Sequence, residues 1–108
     1  MGIGAIKDNL KNYLERLNYR IPLDKAYLYG SWAKGRGTLE SDVDLLILSA
    51  HFEELSPEDR DRLLYRLSAG IPLDLHLFGL TPEEYNSASR LTTVGAIRDS
   101  GKAIDLLS

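Results

Sequence analysis

Asp42 and Asp44 flank a single valine at the head of the apolar run Val43-Asp44-Leu45-Leu46-Ile47-Leu48. Alternate side chains of an extended strand point to the same face, so the two carboxylates stand side by side. Two such acids repel each other unless a cation lies between them, and oxygen donors of this kind suit magnesium. Ten residues upstream is the pair Gly30-Ser31. A glycine turn lets backbone N–H groups approach an anion unobstructed, a helix starting there adds the positive end of its dipole, and the Ser31 hydroxyl donates to a phosphate oxygen. Lys34 and Arg36 lie in the intervening loop. The set outlines a magnesium site beside a phosphate-binding turn. Taken singly the parts are weak: Asp-x-Asp before a strand is commonly a solvated loop, Gly-Ser pairs are frequent, and Lys34 and Arg36 read equally well as solvated cations. Their combination and spacing carry the reading.

The elements around these residues are legible from periodicity and from start and stop signals. Ile6, Leu10, Tyr13, Leu14 and Leu17 recur at helical spacing and predict an amphipathic helix over Ile3 to Leu17, broken before Pro22. Ala26 to Tyr29 reads as a short buried strand ending at Gly30, and Ser31 to Lys34 as the start of a short helix. Val43 to Leu48 is unbroken enough to imply a strand buried on both faces. Ser56-Pro57-Glu58-Asp59 opens a helix with Leu63, Leu64 and Leu67 as its expected buried face, ended by Gly70 and Pro72. Pro72 to Phe78 alternates as a third strand. Thr81-Pro82-Glu83-Glu84 is a capping box, which accounts for both glutamates. A last helix is expected from Thr92 to Ser100, stopping at Gly101, then an edge strand or helical tail over Lys102 to Leu107. The order, α-β-β-α-β-α-α-(β), predicts an α/β (α+β) fold: a small mixed sheet covered by helices.

Bulk composition bounds the function classes. A chain of 108 residues with 44% hydrophobic and 27% charged residues is expected to be one soluble globular domain spanning 1–108. A net charge of −3 argues against a dedicated nucleic-acid surface. There is no cysteine, hence no disulfide framework and no thiolate metal site. No apolar run reaches membrane-spanning length and the first residues lack the regions of a signal peptide, so the expected location is cytoplasmic.

The pattern Gly30-Ser31, ten residues, Asp42-Val43-Asp44 resembles the signature of the DNA-polymerase-β-type nucleotidyltransferase superfamily. At this length the chain is most similar to the minimal nucleotidyltransferases of prokaryotes, the MNT or MntA group. The likeness runs from the leading helix through Tyr27-Leu28-Tyr29-Gly30-Ser31 and Ser41-Asp42-Val43-Asp44-Leu45-Leu46 to the later acidic strand. It implies a twisted mixed sheet with helices, the palm-like catalytic core. It also implies a third carboxylate on a later strand. The matching position is Asp74 in Ile71-Pro72-Leu73-Asp74-Leu75-His76-Leu77, otherwise readable as an exposed acid of an edge strand.

The chemistry implied by the resemblance is two-ion nucleotidyl transfer from a nucleoside triphosphate, with ATP as donor and Mg2+ as the ions. Asp42, Asp44 and Asp74 would hold both ions, and Gly30, Ser31 and Lys34 would grip the triphosphate. His76 shares a face with Asp74 and reads either as a contact to substrate or as a residue that caps its strand. Trp32 reads as core or as a base-stacking ring; Tyr27 and Tyr29 read as structural. Minimal members commonly stand beside a small helical HEPN protein in a toxin–antitoxin pair. The resemblance therefore implies an antitoxin-type enzyme that places AMP on a HEPN partner. The bare core also leaves room for self-association to complete the pocket. A non-catalytic binding antitoxin, and transfer to a small-molecule acceptor, remain the alternatives.

Overall fold

A computed structural model describes residues 2–38 and 40–107. Helix α1 (Lys7–Arg20) buries Leu10, Tyr13, Leu14 and Leu17, the stripe expected from the spacing. It begins later than Ile3 because the first residues form a separate 3-10 turn, Ile3–Ala5. It also runs past Leu17 to Arg20; Ile21, the residue before Pro22, is extended, as a proline demands of its predecessor. Strand β1 (Lys25–Tyr29) leads into the four-residue helix α2 (Gly30–Ala33), and strand β2 (Val43–Leu48) into a 3-10 turn, Ala50–Glu54, that carried no sequence signal.

Helix α3 (Pro57–Arg66) starts as expected, the Ser56 hydroxyl accepting a hydrogen bond from the Asp59 amide at 3.1 Å. Its buried face differs from the expected leucine stripe: Arg60 and Leu64 are buried, while Leu63 and Leu67 are half-buried. The Arg60 guanidinium is satisfied by the carbonyls of Phe52 (2.9 Å), Leu55 (3.1 Å) and Gly79 (3.3 Å) and by Glu84 Oε1 (2.7 Å). A charge so well partnered can be buried. Glu84 also completes the capping box with Thr81 at the start of helix α4 (Pro82–Ser87).

Strand β3 (Leu75–Leu80) is shifted from the expected Pro72–Phe78, so Asp74 lies one residue ahead of it. Pro72 has no N–H to give a ladder, which delays the strand's entry. Helix α5 (Thr93–Ser100) ends at Gly101 with φ +68, and Ile104–Asp105 forms the short edge strand β4.

The four strands lie in the order β3-β2-β1-β4. β1 pairs antiparallel with β2 and β4, and β2 pairs parallel with β3. The expected mixed α/β sheet flanked by helices is therefore what forms. Cross-strand partners share a face. Ala26, Leu28, Val43, Leu45, Ile47, Leu75 and Leu77 enter the main core with Tyr13, Leu17, Phe52 and Leu64. Tyr13 Oη donates to the Leu64 carbonyl at 2.8 Å and ties α1 to α3 beneath this face. On the other face Leu46 and Leu48 pack with Tyr85 of α4 and Val94 of α5. Tyr27 stacks on Tyr85 with ring centroids 5.5 Å apart. Burial of β2 on both faces is thus observed, except at its N-terminal end, where the acidic residues stand.

Candidate active site

The site lies where β1 ends and β2 and β3 begin. The antiparallel register sets Tyr29 opposite Asp44, and the parallel register sets Asp44 opposite His76. The Val43 amide donates to the Asp74 carbonyl at 2.8 Å, which carries the β2–β3 pairing one step back and brings Asp42 and Asp74 alongside. By strand alternation Asp42, Asp44, Asp74 and His76 fall on the face of the sheet that α4 and α5 cover only in part.

These groups meet. Asp42 and Asp74 share a side-chain hydrogen bond, and this bond, with the Asp42 charge, raises the Asp74 pKa above the ordinary carboxylate value. Partial burial raises that of Asp44, with Asp42 adding to the effect and His76 opposing it. The His76 ring bridges the pair: Nε2 is 3.3 Å from Asp42 Oδ2 and Nδ1 is 3.6 Å from Asp44 Oδ1. One ligand atom from each of Asp42, Asp74 and His76 lies within 4.8 Å of the others. Two carboxyl groups this close, with an imidazole beside them, gather oxygen and nitrogen donors at one point. Such a set fits a divalent cation by chemistry and spacing.

The phosphate-turn side is built from α2. Gly30 has φ +72, a conformation that favours glycine, and a Cβ added there would strike the Asp44 carboxylate. The turn closes with the Lys34 amide on the Gly30 and Ser31 carbonyls (3.3 and 3.2 Å) and the Arg36 amide on Ser31 O (2.9 Å). Ser31, Lys34 and Arg36 are exposed. Trp32 is buried at 2% exposure, and a Cβ at Gly37 would run into its ring, so the indole is core rather than a stacking platform.

Two cavities flank this centre and share Tyr29, Thr93 and Ile97 as walls. One of about 330 Å3 is bordered by Gly30, Ala33 and Lys34. The other, about 430 Å3, is bordered by Asp44, His76, Tyr65 and Phe78. The structure thus brings together Asp42, Asp44 and Asp74, sets Gly30 against them, and places Lys34 on an adjoining cavity. His76 sits closer to the centre than a strand cap would, and Tyr29, read as structural, walls both cavities. The cross-strand pairing that puts them there depends on a register the sequence does not spell out.

A family model described as nucleotidyltransferase domain matches residues 7–103. Among curated proteins none matches the sequence. A Sulfolobus solfataricus crystal structure assigned to the nucleotidyltransferases superposes with a TM-score of 0.68 at 20% identity, covering 94% of this chain and 78% of that one. A toxin–antitoxin structure with AMP-PNP gives a TM-score of 0.62 at 26% identity, covering 93% and 71%. A complex of tri-AMPylated Shewanella oneidensis HEPN toxin with MNT antitoxin gives 0.58 at 26% identity, covering 93% and 70%.

Proposed function

This chain belongs to the nucleotidyltransferase domain family, and on that premise we propose that it moves AMP from ATP onto a hydroxyl of a HEPN-class partner protein, silencing it as an antitoxin. The observation that carries the reading is the convergence of Asp42, Asp44 and Asp74 beside the open Gly30-Ser31 turn. The acceptor and the antitoxin role are supported by the likeness to the AMP-PNP-bound and tri-AMPylated toxin–antitoxin structures. In this reading 1–108 acts as one catalytic unit, and ATP as donor, with no cysteine in the chain, suits the cytoplasm. Among the described residues no helix is long and apolar enough to cross a membrane.

Each residue has a defined part. Asp42, Asp44 and Asp74 hold divalent ions of the magnesium class, which when bound neutralise triphosphate charge and make the acceptor hydroxyl a better nucleophile. Gly30 keeps the Asp44 carboxylate within reach of the turn, whose amides and Ser31 hydroxyl face the phosphate tail. Lys34 borders the cavity on that side and offsets phosphate charge. Asp74 sits at the outer edge, where its carboxylate can take the acceptor's proton. The transferred α-phosphoryl exchanges its bond to pyrophosphate for one to the acceptor oxygen, and pyrophosphate leaves.

The second cavity, bordered by His76, Tyr65 and Phe78, is the side left for the acceptor. Tyr65 and Phe78 are exposed at 45% and 43%, a surface suited to a protein partner. Incubating the chain with its cognate HEPN-domain protein, ATP and Mg2+ and taking intact masses tests the reading. A gain of AMP units on the partner, absent with Asp42→Asn, is expected. A stable, neutralised but unmodified complex would move the function to binding alone.

A further inference from the structure

We propose that His76 is a nitrogen ligand which, with Asp42 and Asp74, holds one of the divalent ions and tunes this site towards Mn2+ over Mg2+. The inference rests on the cation reading given above but goes beyond its carboxylates. The β2–β3 register is the reason: pairing Asp44 with His76 sets an imidazole in the row otherwise formed by acids. Among the described residues the ring's ion-pair partners are two acids of the site. Its nitrogens address Asp42 and Asp44 at 3.3 and 3.6 Å, and the side chain is 56% exposed.

With one atom each of Asp42, Asp74 and His76 inside 4.8 Å, a cation placed among them is reached by two oxygens and one nitrogen. Mg2+ demands oxygen ligands in near-ideal octahedra and dehydrates reluctantly, whereas imidazole suits transition dications. Exchanging one oxygen donor for a ring nitrogen therefore favours Mn2+. Asp44, half-buried on the far side of the ring, is left to face the turn at Gly30.

The test is pulsed paramagnetic resonance of Mn2+ bound to the full chain, prepared without a polyhistidine tag. Tripolyphosphate replaces ATP so that no adenine nitrogen contributes. The expected result is a directly coordinated 14N signal that disappears in His76→Ala and persists in His51→Ala, His51 lying beyond the opposite end of β2. Mn2+ affinity should fall by about 10-fold in His76→Ala while Mg2+ affinity changes far less. Bound Mn2+ without a 14N signal, or with one that survives His76→Ala, overturns the role of His76 and leaves the carboxylate site standing. Failure of Mn2+ and Mg2+ to bind at all, with Asp42→Asn no different from wild type, overturns the cation reading and His76 with it.

Discussion

Gly30 and Asp44 are built against each other: the space a side chain would take at Gly30 is occupied by the Asp44 carboxylate. The glycine also adopts φ +72, so two independent demands meet at one residue. Gly30→Ala should cost about 1–2 kcal/mol of stability from backbone strain alone. It should also displace Asp44 and lower metal–nucleotide affinity by more than the stability loss explains. A thermal melt with and without Mg2+–ATP separates the two effects, and a variant that keeps the full ligand-induced shift would contradict the close packing.

The raised pKa values of Asp44 and Asp74 have a consequence for metal-free stability. A carboxyl group with a raised folded-state pKa holds its proton after the unfolded chain has released it. The native state then binds more protons, and stability from this source declines as pH rises through the folded-state value. Wild type without metal should therefore gain on Asp44→Asn as pH is lowered from neutrality into the carboxylate range. At neutral pH the Asn variant should melt no lower than wild type, since a half-buried charge is gone. Melts across that range check the sign, and a clear loss of melting temperature in Asp44→Asn at neutral pH would contradict it.

How much of this was legible beforehand depends on the range of the interaction. Asp42 and Asp44 needed only strand alternation, Gly30 only a turn, and the Ser56 and Thr81 caps only local chemistry. Asp74 came through family likeness, since an acid before a strand has no signature of its own. His76 and Tyr29 owe their places to the pairings of Asp44 with both neighbours, and strand register is a long-range property. The burial of Arg60 has no local signature, because a charged residue on a leucine-rich helix ordinarily faces solvent. Its partners, Phe52 O, Gly79 O and Glu84, come from three other segments.

That same arginine makes a stability prediction. Arg60→Met keeps much of the apolar stem but leaves the Phe52 and Gly79 carbonyls and Glu84 without their shared donor. A loss of about 1–3 kcal/mol is expected in denaturant melts. Because the guanidinium binds Gly79, which pairs with Ile47 towards the other end of β2 from Asp44, metal affinity should be retained in the folded fraction.

Phe78 points from β3 beside His76, 43% exposed, on the wall of the larger cavity. Truncating an exposed ring of this kind typically weakens a partner far more than it weakens the fold. Phe78→Ala should raise the KM for the protein acceptor by about 10-fold while leaving ATP binding unchanged. A change in nucleotide affinity without a change for the acceptor would reverse the assignment of the two cavities.

The most direct test of nucleotidyl transfer at the Asp42–Asp44–Asp74 centre follows the phosphates of ATP. The chain and its cognate HEPN-domain protein are supplied in parallel with ATP labelled at the α or at the γ phosphorus. The α label is expected on the partner and the γ label in free pyrophosphate, both lost in Asp42→Asn. A γ label on the partner, or no label in a complex that still forms, would contradict nucleotidyl transfer.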